Sequence, residues 1–243
     1  MDYRYREQQY DHGAYSTVSI YPVFKTGRKR GGRYRPTSDV QRVLNEKNAA
    51  ERVARQMDAN FAEGGSFVTL TYDCSHLPDT RAGMVRDFQN FIKRLKRMAG
   101  ADVKYIAVPH GEPGAEGARL NLHLATDADL TPEQWERMWG KGIVEVSPLR
   151  FSRRGLRGLA GYFVKGMSWG RVMRSRNIVD PVAKERTGVR SRADVELLAV
   201  SWDDPTPYER MYPGYKVAAV EPFYNYFNKY YYIRIYLYKE RAA

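Results

Sequence analysis

Apolar residues first recur at helical spacing. Val40, Val43, Leu44, Val53, Ala54, Met57 and Phe61 follow a TSDVQ segment in which Ser38 and Gln41 have capping-box spacing. Gly64 and Gly65 end that helix. The pattern then shortens to a period of two in residues 67–72 (FVTLTY), whose β-branched and aromatic content predicts a strand. Val85, Phe88, Ile92, Leu95 and Ala99 predict an amphipathic helix with Lys93, Lys96 and Arg97 on its other face. Residues 104–108 and 119–125 read as two strands joined through the Gly/Pro turn HGEPGAEG, most simply as an antiparallel hairpin.

In residues 119–125 (RLNLHLA), the period of two puts Leu120, Leu122 and Leu124 on the core face and Arg119, Asn121 and His123 on the other. Thr131, Pro132 and Gln134 mark the start of a short helix carrying Trp135 and Trp139. A strand is expected at 143–146. Leu156, Leu159, Ala160, Phe163, Val164 and Met167 then form a helical stripe, with Tyr162 and Lys165 as neighbours on another face. Residues 170–210 predict loops or a short helix around 194–198. The C-terminal YYYIRIYLYK alternates Tyr231, Ile233, Ile235 and Leu237 with Tyr230, Tyr232, Arg234, Tyr236 and Tyr238. It predicts an edge strand with a core face and a Tyr/Arg face that could stack bases. No internal repeat is present.

Composition narrows the class. The 243 residues, 43% hydrophobic and 28% charged, suffice for one sizeable core. No run of about 18 apolar residues occurs and the N-terminus has no apolar segment, so a cytoplasmic protein of a bacterial host, with no membrane partner, is expected. The single cysteine, Cys74, excludes an internal disulfide and a Cys-based zinc cluster. His12, His76, His110 and His123 limit metal chemistry to a mixed N/O site. Forty Lys+Arg against twenty-eight Asp+Glu give a net charge of +12, which suits nucleic acid.

The positive charge is unevenly spread. Residues 25–35 hold six basic residues, three glycines and no acid, and residues 1–36 are expected to form a flexible basic arm ahead of one domain spanning 37–243. Residues 146–179 contain eight Lys/Arg and no Asp or Glu; Arg150, Arg153, Arg154 and Arg157 there are expected to contact phosphates, as are Arg119, Lys93, Lys96 and Arg97.

Asn121 and His123 share a strand face, His110 and Glu112 sit near the end of the preceding hairpin arm, and Tyr162 and Lys165 lie on a nearby helix. This set suggests phosphoryl transfer. A divalent cation, Mg²⁺ or Mn²⁺, held by His123, Asn121 and Glu112, with His110 in reserve, would polarise a phosphodiester while Tyr162 attacks it. A phenol of pKa about 10 needs an adjacent cation such as Lys165 to favour its ionised form. No small-molecule cofactor is expected.

The order of these segments resembles the rolling-circle replication initiators of the HUH (His-hydrophobe-His) endonuclease superfamily, in the type found in phages and Firmicute mobile elements. The resemblance runs from about Ser38 to the end of the chain, the stretch 37–243 being read as this domain with a C-terminal extension. FVTLTYD is similar to the family's first motif. Arg119-Leu120-Asn121-Leu122-His123 is similar to its metal-binding Arg-x-His-hydrophobe-His motif with Asn121 in place of the first His, and Tyr162-Phe163-Val164-Lys165 matches its Tyr-x-x-Lys nucleophile motif. The resemblance implies an α+β fold, an antiparallel sheet of about five strands with helices on one face. It also implies nicking and joining of single-stranded or origin DNA through a 5′-phosphotyrosine, leaving a 3′-OH that primes replication. No P-loop pattern is present, so a host helicase and polymerase are the expected partners. The alternative is a catalytically decayed DNA-binding protein of the same fold.

Overall fold

Period-two alternation builds two five-stranded antiparallel sheets. The structure is a computed structural model that describes residues 3–24, 39–115, 119–165 and 172–240. Its elements in chain order are β1 (Tyr3–His12), β2 (Tyr15–Phe24), α1 (Asp39–Asn60), β3 (Ser66–Thr71), α2 (Arg81–Ala99), β4 (Tyr105–His110), β5 (Asn121–Thr126), α3 (Pro132–Trp139), β6 (Val144–Pro148) and α4 (Arg157–Lys165). They continue with β7 (Met173–Arg174), β8 (Ala183–Thr187), α5 (Arg192–Val200), α6 (Thr206–Met211), β9 (Lys216–Asn225) and β10 (Tyr230–Tyr238). The sheets run β8-β1-β2-β10-β9 and β6-β3-β5-β4-β7. The α+β class is borne out. The chain divides into two compact units, one of residues 43–151 and 156–179, the other of 1–42, 152–155 and 180–243.

The first unit contains the β6-β3-β5-β4-β7 sheet. Leu122 and Leu124 of β5 join Val68 and Leu70 of β3 on one face. Met84, Phe88, Phe91 and Leu95 of α2 and Trp135 and Trp139 of α3 cover them. Thr80 caps α2 by accepting from Gly83 N, and Thr131 and Gln134 form the expected capping box on α3. The opposite face carries Ile106, Val108 and Ala125, packed with Val53 and Met57 of α1 and Ala160 and Phe163 of α4. Helices therefore pack on this face as well, and the strand ends near His110 and Asn121 form the candidate site described below.

The second unit contains the other sheet. Tyr5, Val18, Ile20, Ile233 and Ile235 face Val195 and Leu198 of α5 and Tyr208 and Tyr212 of the α6 segment. Tyr3–Phe24 form a β-hairpin rather than part of an arm; the basic run 25–35 and the Ser38 cap lie outside the described residues. The hairpin is hidden in the sequence because its inward face includes Glu7, a carboxylate buried to 2% exposure and satisfied by Arg190 Nε and Nη2 at 3.1 and 3.0 Å. β10 lies inside the sheet between β2 and β9, which corrects the edge position expected of it. β9 takes the edge, where Pro222 leaves no ladder bond broken.

Candidate active site

Register brings the site together. His110 and Asn121 oppose each other across β4 and β5, His123 follows two residues along, and Thr69 of β3 opposes His123. In an antiparallel ladder directly opposed residues share a face, so all four side chains lie on the same side of the sheet. One imidazole thus comes from each of two adjacent strands, with ring centroids 4.3 Å apart. The strand position that lacks a histidine, Asn121, is matched by His110 across the hairpin.

The α4 helix supplies the tyrosine. Ala160, Phe163 and Val164 are buried against the sheet, which leaves Tyr162 at the rim, about half exposed, with its hydroxyl turned inward to 3.0 Å from His123 Nε2. The Tyr162 ring lies 5.2 Å from His110 and 5.0 Å from His123. Phe67 stacks on His123 at 5.7 Å and meets Tyr162 edge-on.

Each imidazole is anchored through one nitrogen. His123 Nδ1 lies 3.1 Å from Thr69 Oγ1, and the His110 ring is hydrogen-bonded to the Phe163 backbone. Burial, and then the charge of His110, pull His123 down to about 4; burial also lowers His110. Both rings are therefore neutral at pH 7, the form that donates a lone pair to a metal. A neutral imidazole carries one proton. With that proton on Nδ1 and donated to Thr69, Nε2 of His123 accepts from the Tyr162 hydroxyl. Burial raises the Tyr162 phenol above its ordinary value, so it remains protonated and a donor in this state.

Two buried acceptors stand without a hydrogen-bond partner: His110 Nε2 and Asn121 Oδ1. An orphaned buried polar atom costs on the order of 1–3 kcal/mol, so two on opposed residues call for a ligand. Together with His123 Nε2 they make an N/N/O donor set that fits a divalent cation with borderline preferences. Among the described residues, no three His, Cys, Asp or Glu side chains gather as a metal group, so the third donor here is an amide oxygen.

The remaining sequence candidates are distributed elsewhere. Glu112 is not gathered with the histidines; Arg81 holds it with Nε and Nη2, each at 2.8 Å. Gly111 separates the two residues at φ +88°, and a Cβ there would meet the Arg119 carbonyl at 2.6 Å, so the turn beyond His110 requires glycine. Lys165 is exposed at the end of α4, one turn beyond Tyr162; Arg119 and Arg150 are exposed. Arg157 is committed to Glu51, a carboxylate of 4% exposure, through Nε at 2.6 Å. Arg153 and Arg154 belong to the other unit, over the Tyr238 and Tyr236 rings at 5.9 and 4.3 Å, with Arg154 also paired to Glu221. Lys93, Lys96 and Arg97 lie on the exposed side of α2, which packs on the sheet face opposite the tyrosine. Sequence reasoning missed Thr69 and Phe67. The alternation of FVTLTY puts both on one face, but only the β3–β5 register shows that this is the histidine face.

Residues 65–168 match the model of the ORF2-type replication-associated protein family, a segment that runs from β3 through α4 and contains Thr69, His110, Asn121, His123, Tyr162 and Lys165. Searches of curated proteins and of solved structures return no match. No helix among the described residues is long and apolar enough to cross a membrane. The family match covers the whole of the candidate site and supports a role in replication for this chain.

Proposed function

We propose that this chain is a rolling-circle replication initiator that nicks and rejoins single-stranded or origin DNA with Tyr162 as nucleophile. The observation that carries the reading is the placement of the Tyr162 hydroxyl 3.0 Å from His123 Nε2, beside the two orphaned acceptors of His110 and Asn121. His110, His123 and Asn121 would hold a divalent cation, with Mn²⁺ better suited than Mg²⁺ to two imidazoles. Such a cation, when bound, supplies Lewis-acid polarisation of the phosphodiester.

The chain's own residues account for the rest. Thr69 and the Phe163 backbone hold the two imidazoles by one nitrogen each, which keeps Nε2 of both available. His123 Nε2 has one lone pair, so the phenol and a cation compete for it. Release of the phenol lets Tyr162 Oη attack phosphorus: the Oη–P bond forms, the P–O3′ bond breaks, the phenol proton passes to solvent, and the leaving 3′-oxygen takes up a proton. Lys165, one turn along α4, would stabilise the developing negative charge. The products are a 5′-phosphotyrosine and a 3′-OH, and the reverse attack joins the strands. A host polymerase would extend the 3′-OH and a host helicase would open the duplex, in the cytoplasm of a bacterial cell carrying a phage or plasmid.

Incubation with labelled single-stranded oligonucleotides and Mn²⁺, with and without chelator, followed by a denaturing gel, tests the reading. A cation-dependent adduct that vanishes in Tyr162→Phe supports it. DNA binding without any adduct, in wild type and in Asn121→His alike, contradicts it and leaves the decayed-binder alternative.

A further inference from the structure

The unit with the β8-β1-β2-β10-β9 sheet presents a second surface, remote in sequence from the nucleophile. Its inward face is set by Tyr5, Ile20 and Ile233 against α5 and α6. Period two then puts Arg6, Tyr21, Tyr232 and Phe223 on the other face. Arg6 opposes Tyr21, Phe223 opposes Tyr232, and the Ile20–Ile233 pair brings Tyr21 and Tyr232 alongside each other. One arginine and three aromatic rings therefore line up in a row across four strands. Arg234 follows on the same face in the next row, opposite the small Ser19.

The row is open and ordered. Phe223 is 62% exposed, and Arg6, Tyr21, Tyr232 and Arg234 are half-buried. Asn228 Nδ2 donates to the Tyr232 hydroxyl at 2.8 Å, which fixes that ring, and Phe223 packs edge-on to it at 6.2 Å. The acids on this face are already paired: Glu185 with Arg6 and Glu221 with Arg154. A few residues away on the same face the guanidinium of Arg154 stacks on Tyr236 at 4.3 Å, showing how a flat group is received there. The aliphatic side chains of β10, Ile233 and Ile235, are on the other face, so a greasy protein partner finds little here, while bases and phosphates find rings and cations. A sheet face with rings at its centre reaches unstacked bases and not those inside a duplex.

We infer that the row Arg6-Tyr21-Tyr232-Phe223, with Arg234, binds single-stranded DNA by base stacking and phosphate contact, as a second DNA-binding element apart from the tyrosine site. The choice of DNA as the polymer rests on the proposed function.

The test is fluorescence anisotropy of the full chain with labelled oligothymidylate in chelator, for wild type and for Phe223→Ala/Tyr232→Ala. Stacking on aromatic rings accounts for at least about fivefold in affinity per base, so the double variant is expected to bind at least tenfold more weakly, while Tyr232→Phe binds as wild type does. Melting temperature serves as the folding check. If the double variant unfolds, Phe223→Leu/Tyr232→Leu preserves volume without a ring face and must show the same loss. Unchanged affinity in a folded variant overturns the inference, as does equal binding of oligouridylate or duplex. An adduct at Tyr162 with ring-independent affinity sinks the surface alone; ring-dependent affinity without any adduct sinks the catalytic reading alone.

Discussion

The hydroxyl of Tyr162 and Nε2 of His123 lie 3.0 Å apart, and the same His123 is held from behind by Thr69 at 3.1 Å. The hydrogen bond to the phenol occupies the lone pair that a cation would use. Tyr162→Phe is therefore expected to bind Mn²⁺ more tightly than wild type, by roughly two- to tenfold, the range of a net hydrogen bond, while losing adduct formation. Electron paramagnetic resonance titration of Mn²⁺ measures this. Weaker Mn²⁺ binding in the variant would argue against competition for one lone pair.

Thr69 touches no reacting atom in this arrangement and acts through His123. Thr69→Val keeps the shape and removes the hydroxyl, and it is expected to lower Mn²⁺ affinity by about 10- to 100-fold, the usual effect of losing such a support. Thr69→Ser should restore it. An effect of the same size in Ser and Val would assign Thr69 to packing alone.

Acid should destabilise the fold through His123. Its folded value, about 4, lies below the ordinary 6.5, so the unfolded chain binds the proton more readily between these values. The stability this neutral ring contributes is complete above about pH 6.5 and is lost as pH falls through about 4, at most about 3 kcal/mol in all. Urea unfolding of wild type and His123→Gln across pH 4–7 checks this: the variant's stability should fall less steeply, and parallel curves would exclude His123 as the source.

Arg157 separates a structural cation from a DNA-binding one. Its partner Glu51 is buried, so Arg157→Ala leaves a carboxylate short of a partner and is expected to cost about 2–3 kcal/mol of stability. The salt dependence of DNA binding should not change, whereas a phosphate contact would remove about one unit of its slope. Denaturant unfolding and salt-titrated anisotropy on the same variant distinguish the two roles.

Elements whose pattern depends on their own sequence were legible before the structure. The capping box at Thr131, the alternation of residues 119–125 and the stripe of α4 all stand where the spacing placed them. The hairpin of β1 and β2 was not legible, because Glu7 stands at a buried position and is tolerated only through an arginine 183 residues away. β9 was hidden by Pro222, acceptable only on the edge it occupies. In the site, Tyr162, Asn121 and His123 followed from local motifs and from a resemblance. The rank of His110 above Glu112 depended on the β4–β5 register and on Arg81, neither of which a single sequence displays.

The most direct test of the central claim is to digest the covalent protein–oligonucleotide product with nuclease and protease and locate the remaining nucleotide by mass spectrometry. A 5′-linked nucleotide on the α4 peptide at Tyr162 is the result expected. A nucleotide on another tyrosine, such as Tyr105 or Tyr72, or a product bearing no nucleotide at all, would contradict the account.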